Sequence, residues 1–133
     1  MDSVPELNGV RYDRDLPVFD PGHFDGIFDP GDPAARKTLL SEIFGLFREE
    51  AGSRVAALDS ISDKATGGEF REAVHFIAGS AANLGMARLA GLCRGVEQAI
   101  LEGTAFDRES CRTAVRAEYE AACAAFSVDP LAR

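Results

Sequence analysis

From Asp32 onward, apolar side chains return every third or fourth position, the spacing of one face of an α-helix. The first stripe runs Leu40, Ile43, Phe44, Phe47, Ala51, Val55, Leu58 and Ile61, opened by Asp32 as a cap and Pro33 at the first helical position. This predicts a long helix, weakened at Gly45 and Gly52. After the breakers Gly67 and Gly68 a second stripe follows, Phe70, Ala73, Val74, Ile77, Ala81 and Leu84, and stops at Gly85, suited to a left-handed C-terminal cap. Leu89, Leu92, Cys93, Val96 and Ile100 form a third, ending near Gly103. Asp107 can cap a fourth that carries Cys111, Val115, Tyr119, Ala122 and Phe126 before Pro130.

No alternating strand pattern competes. Four amphipathic helices on short loops predict an all-α chain, an antiparallel four-helix bundle over residues 33–127 with a tail at 128–133. Residues 1–32 hold four of the six prolines and seven aspartates and read as an irregular arm. Val18, Phe19, Phe24, Ile27 and Phe28 give the arm a reason to pack across one end of the bundle, with one short helical turn expected around Pro21 to Phe28.

Composition narrows the function classes. The 133 residues suffice for one core. Twenty-two acidic against fourteen basic residues argue against nucleic acid or an anionic membrane as partner, since both demand a basic footprint. No apolar run approaches the ~20 residues of a membrane span, and the first residues lack the regions of a secretory signal, so a cytoplasmic location is expected. Cys93, Cys111 and Cys123 form no Cys-x-x-Cys pair and read as reduced, partly buried thiols.

One residue of the second helix stands apart from its core stripe. With Ile77 at zero on a wheel of about 100° per residue, the apolar members fall within about 60°, while His75 lies near 160° and Gly79 near 200°. An outward histidine is by itself an ordinary surface residue. Gly79 adds weight, because glycine inside a helix costs about 1 kcal/mol relative to alanine. It marks close approach of another molecule, a kink, or a contact with the folded-back arm. His75 has no triad partner, no second histidine at i+4 and no metal-ligand spacing nearby, so hydrolytic and metal sites are weak readings. Phosphoryl transfer remains: a neutral imidazole is a competent nucleophile toward phosphorus, and the transfer needs mainly alignment and charge neutralisation, which a partner can supply. No phosphate-binding glycine loop is present for drawing phosphate from ATP.

The string His75-Phe76-Ile77-Ala78-Gly79-Ser80-Ala81-Ala82-Asn83-Leu84-Gly85 resembles the signature of the histidine-containing phosphotransfer (HPt) family, roughly H-x-[LI]-K-G-[SA]-[SA]-x-x-[LIV]-G. The likeness extends more loosely from about Leu39 to Phe126 and leaves the arm outside it. The resemblance implies a monomeric bacterial phosphorelay intermediate. It would accept a phosphoryl group on His75 from a receiver-domain aspartate and pass it to another receiver, hybrid histidine kinases being among the carriers of such domains. It further implies a phosphoryl carrier without kinase or hydrolase activity, no cofactor or metal of its own, and Mg²⁺ on the partner receiver. The dimerisation helix of histidine kinases is disfavoured, because Phe76-Ile77-Ala78-Gly79-Ser80 replaces its acidic residue and Thr-Pro.

The chain departs from the family at Ala78, where a lysine is usual. Arg71, one turn before His75, either supplies a substitute charge or pairs with a nearby glutamate. Glu97 stands where several family members carry a glutamine, and either repels phosphate, orients the imidazole through Nδ1-H, or is simply a surface residue. Ala78, Ala82, Met86 and Phe76 are candidate contacts for a docking receiver, with core packing the competing reading of Phe76. His23, Arg36, Arg48 and Arg54 read as solvated. The alternatives to a carrier are a receiver-binding module that docks without efficient transfer because Ala78 replaces the lysine, and a helical scaffold in which His75 is incidental.

Overall fold

The computed structural model describes residues 7–25, 32–61 and 67–128. Four helices, α1 (Pro33–Ala57), α2 (Gly67–Asn83), α3 (Ala87–Leu101) and α4 (Arg108–Val128), follow one another, with a 3₁₀ turn at Leu58–Ser60 after α1. Each packs on the next and α4 closes back on α1, which makes the four-helix bundle. Among the described residues there is no strand and no helix long and apolar enough to cross a membrane.

The helix ends follow local chemistry. The Asp32 carboxylate accepts the Ala35 N–H at 3.0 Å with Pro33 at the first position, and Asp107 accepts the Ser110 N–H at 3.3 Å. At the end of α2, Gly85 takes φ +75°, and Met86 N–H donates to the Ala81 carbonyl at 2.9 Å and Gly85 N–H to that of Ala82 at 3.1 Å. Gly103, at φ +70°, ends α3 in the same pattern, with Thr104 bonded to Ala99. These 6→1 and 5→2 bonds satisfy carbonyls that the helix itself leaves open.

The stripes meet in one core. Phe70, Val74 and Ile77 of α2, Leu89, Leu92 and Val96 of α3, and Val115 and Phe126 of α4 are fully buried with Leu40 of α1. Two buried charges are partnered. Arg112 donates to the carbonyls of Leu58 and Ile61, each at 2.8 Å, and so ties α4 to the end of α1; Glu118 accepts from the Tyr12 hydroxyl.

Several expectations are corrected. The helix α1 runs unbroken through Gly45 and Gly52; a Cβ at Gly52 would come within 2.7 Å of the Tyr119 hydroxyl, so that glycine makes room for a neighbour. Ile61 lies beyond α1, after the 3₁₀ turn, and Gly67 and Gly68 open α2 instead of preceding it. Arg54 and Arg48 are exposed, as expected, but their guanidinium groups also lie over aromatic rings, 4.4 Å and 5.8 Å from the ring centres of Phe76 and Phe44.

The described part of the arm lies along α3 and reaches α4. The Arg11 carbonyl packs on Gly95 and Leu16 on Gly91, where side chains would collide. Arg88 donates from Nε to the Leu16 carbonyl at 2.8 Å and from its backbone to that of Pro17 at 3.0 Å, and Asp20 N–H donates to Gly85 at 2.8 Å. Phe19 and Phe24 close on Phe126 with ring centres 5.5 Å and 6.0 Å away. Residues 21–25 form turns in place of the expected helical turn, and Gly26 to Phe28 lie outside the described residues. His23, expected in solvent, is half-buried beside Gly85, its Nε2 2.9 Å from the Asn83 carbonyl at the end of α2.

Candidate functional site at the outer face of α2

The same periodicity that buries Val74 and Ile77 turns His75 outward, and its side chain is 70% exposed. One ring nitrogen is nevertheless held. Nδ1 lies 2.8 Å and 3.1 Å from the two carboxylate oxygens of Glu97 on α3. A carboxylate can only accept, so in the neutral ring Nδ1 carries the proton, and Nε2, with its lone pair, is the nitrogen left without a partner among the described residues. Glu97 itself is 16% exposed and is also approached by Arg71, whose Nη1 lies 3.3 Å from Oε2, the oxygen nearest to His75 Nδ1. Sequence reasoning left both residues with open alternatives, and the structure brings Arg71, His75 and Glu97 into one cluster across the α2–α3 interface.

The helix surface next to the ring is bare. A Cβ placed on Gly79 would meet nothing within 4 Å among the described residues, so neither the described part of the arm nor a neighbouring helix explains this glycine, and α2 continues through it to Asn83. Phe76 is half-buried beneath the Arg54 guanidinium, and Ala82 is half-buried.

Two of the expected docking contacts are withdrawn by burial. Ala78 is 3% exposed, because its position, about 100° from Ile77, falls on the side of α2 that packs on α3. Met86 is fully buried: the left-handed turn at Gly85 takes the chain out of the helical row before Met86, so it does not continue the His75 face. The sequence reading also passed over Leu39 and Leu46, which are 45% and 56% exposed. On the α1 wheel they lie within about 80° of Arg54, but about 22 Å and 12 Å from it along the helix axis, so that Leu46 is the nearer of the two to the Phe76 contact. Their seven-residue spacing beside the core stripe was the available signal.

Elsewhere, a groove of about 530 Å³ between the arm and α3 is lined by Arg11, Leu16, Gly91, Arg94 and Gln98 among others, none of them a member of the His75 cluster. Among the described residues no three His, Cys, Asp or Glu side chains converge as a metal-binding group. Cys93 and Cys111 are buried free thiols and Cys123 a half-buried one.

Comparison with known proteins agrees with this geometry. The Hpt domain profile matches residues 42–125, from the third turn of α1 to the last turn of α4, while neither the curated proteins nor the solved structures gave a match. With well over half of its length matched, and with a four-helix bundle that presents an outward histidine, the chain belongs to the Hpt domain family, the histidine phosphotransfer domains of two-component phosphorelays.

Proposed function

We propose that His75 is the phosphoryl acceptor of a phosphorelay carrier that exchanges phosphate with receiver-domain aspartates. The observation that supports this most is the combination of an exposed ring held by Glu97 at Nδ1 with the open surface at Gly79. In the forward step, the Nε2 lone pair attacks the phosphorus of a receiver's aspartyl phosphate. The P–O bond to that aspartate breaks, and its electron pair leaves with the carboxylate. Nδ1 keeps its proton against Glu97 throughout, so no proton has to be moved, and attack by a second receiver's aspartate reverses the sequence.

In this reading the protein contributes alignment. Glu97 is a positioning residue that fixes the ring, Arg71 offsets its charge, and Gly79 lets the receiver's backbone come close. Phe76, Ala82 and the exposed Leu46 form the apolar rim against which the receiver rests. Mg²⁺ belongs to the receiver's acidic pocket, and the carrier acts as a cytoplasmic monomer whose contacts separate quickly enough to reach the next partner. The competing reading, a docking module without transfer, draws on Ala78, which is buried and carries no charge.

Incubation with a panel of ³²P-labelled receivers separates the two. A carrier takes up acid-labile, alkali-stable phosphate, and His75→Ala takes up none. Binding of a receiver without transfer, equal in the wild-type and His75→Ala proteins, supports the docking module and overturns the carrier.

A further inference from the structure

Arg71 is only lightly engaged. Its single contact among the described residues is one Nη1 donor to Glu97 at 3.3 Å, longer than the 2.7–2.9 Å of a strong charge-assisted bond, and its side chain is 41% exposed. Of the five N–H donors of a guanidinium, four are left without a protein acceptor there. Arg71 also stands four residues before His75, directly below it on the same helical row. A phosphoryl group on Nε2 brings two negative charges to a ring whose opposite nitrogen already touches a carboxylate, and Ala78, buried and uncharged, offers nothing to balance them.

Resting on the assignment of His75 as acceptor, we infer that Arg71 is a phosphoryl clamp that changes partners: it pairs with Glu97 in the resting protein and turns its free donors onto the phosphoryl oxygens once His75 is phosphorylated. Glu97 is then left to the Nδ1 proton alone. The phosphohistidine is held from both sides, anion on the ring and cation on the phosphate. Because charge on the phosphoryl oxygens falls toward a loose transition state, the clamp stabilises the phosphorylated ground state more than its hydrolysis.

The test uses the intact chain and phosphoramidate as a chemical donor, so that no receiver is needed. The expected result is a phosphohistidine that hydrolyses roughly three- to tenfold faster in Arg71→Ala than in wild type, with Arg71→Lys in between. The ¹⁵N resonances of the Arg71 guanidinium should move on phosphorylation, a readout that a purely structural role would not produce. Labelling of His75 with equal lifetimes in all three proteins and stationary Arg71 signals overturns the clamp alone. Absence of phosphate from His75 in the wild type overturns the acceptor assignment, and the clamp with it.

Discussion

Oε2 of Glu97 lies 2.8 Å from Nδ1 of His75, a side-chain bond between neighbouring helices that leaves the far side of the imidazole open. Of the two ring nitrogens, the protein occupies one and presents the other.

That relationship predicts a graded response at Glu97. Glu97→Ala frees the ring to rotate and should slow single-turnover transfer from a phosphorylated receiver by about tenfold. Glu97→Gln keeps an acceptor oxygen for Nδ1-H and should lose less. Receiver affinity should stay constant in both, because the effect lies in alignment. Rates measured across receiver concentration check this, and an unchanged maximal rate in Glu97→Ala would remove the positioning role.

Gly79 separates stability from docking. With nothing among the described residues within 4 Å of its Cβ position, Gly79→Ala should stabilise α2 by about 1 kcal/mol, and Gly79→Leu should fold as well as wild type. The leucine nonetheless projects where a receiver must pass, and transfer to it should fall sharply. Thermal melts beside transfer assays distinguish this from a loss of folding.

The arm is fitted to α3 through Gly95. A methyl group there collides with the Arg11 carbonyl, so Gly95→Ala should cost about 1–3 kcal/mol. Gly45→Ala, in a helix position with open space around it, should gain about 1 kcal/mol and serves as the control. Denaturant titration followed by circular dichroism measures both.

The thiols make the fold sensitive to alkali. Burial pushes the Cys111 thiol up to about 12, and burial together with Cys111 pushes Cys93 up as well. Unfolded thiols ionise near 8.5. Below that pH both states are protonated and nothing is lost. Above it the unfolded chain releases protons that the folded one retains, so stability should fall, by up to about 1.4 kcal/mol per pH unit for each thiol. Urea titrations at pH 7.5 and pH 10 test the sign, and thiol reagents should label Cys93 and Cys111 only on unfolding.

Helix order, caps and the outward turn of His75 were legible in the sequence because they depend on local periodicity and on cap chemistry at Asp32, Gly85 and Asp107. Contacts between distant segments were not. For Glu97 only the family resemblance offered a contact with His75, as one of several alternatives; the periodicity of the chain cannot choose among them, since the meeting of Glu97, His75 and Arg71 depends on how α3 is rotated against α2. His23 read as a surface residue because its acceptor, the Asn83 carbonyl, is sixty positions away. Met86 differs for another reason: as a docking contact it would have to prolong the His75 face, and the left-handed turn at Gly85 ends the helical row before it. Gly52 and Gly95 likewise looked like helix weaknesses or carried no signal, until the Tyr119 hydroxyl and the Arg11 carbonyl were found against them.

Locating the phosphate by mass spectrometry under alkaline conditions, after mixing the chain with a phosphorylated receiver, addresses the central assignment most directly. The account predicts a single phosphoryl group on His75, absent from the His75→Ala protein. Phosphate on another residue, or uptake that survives the His75→Ala substitution, would contradict it.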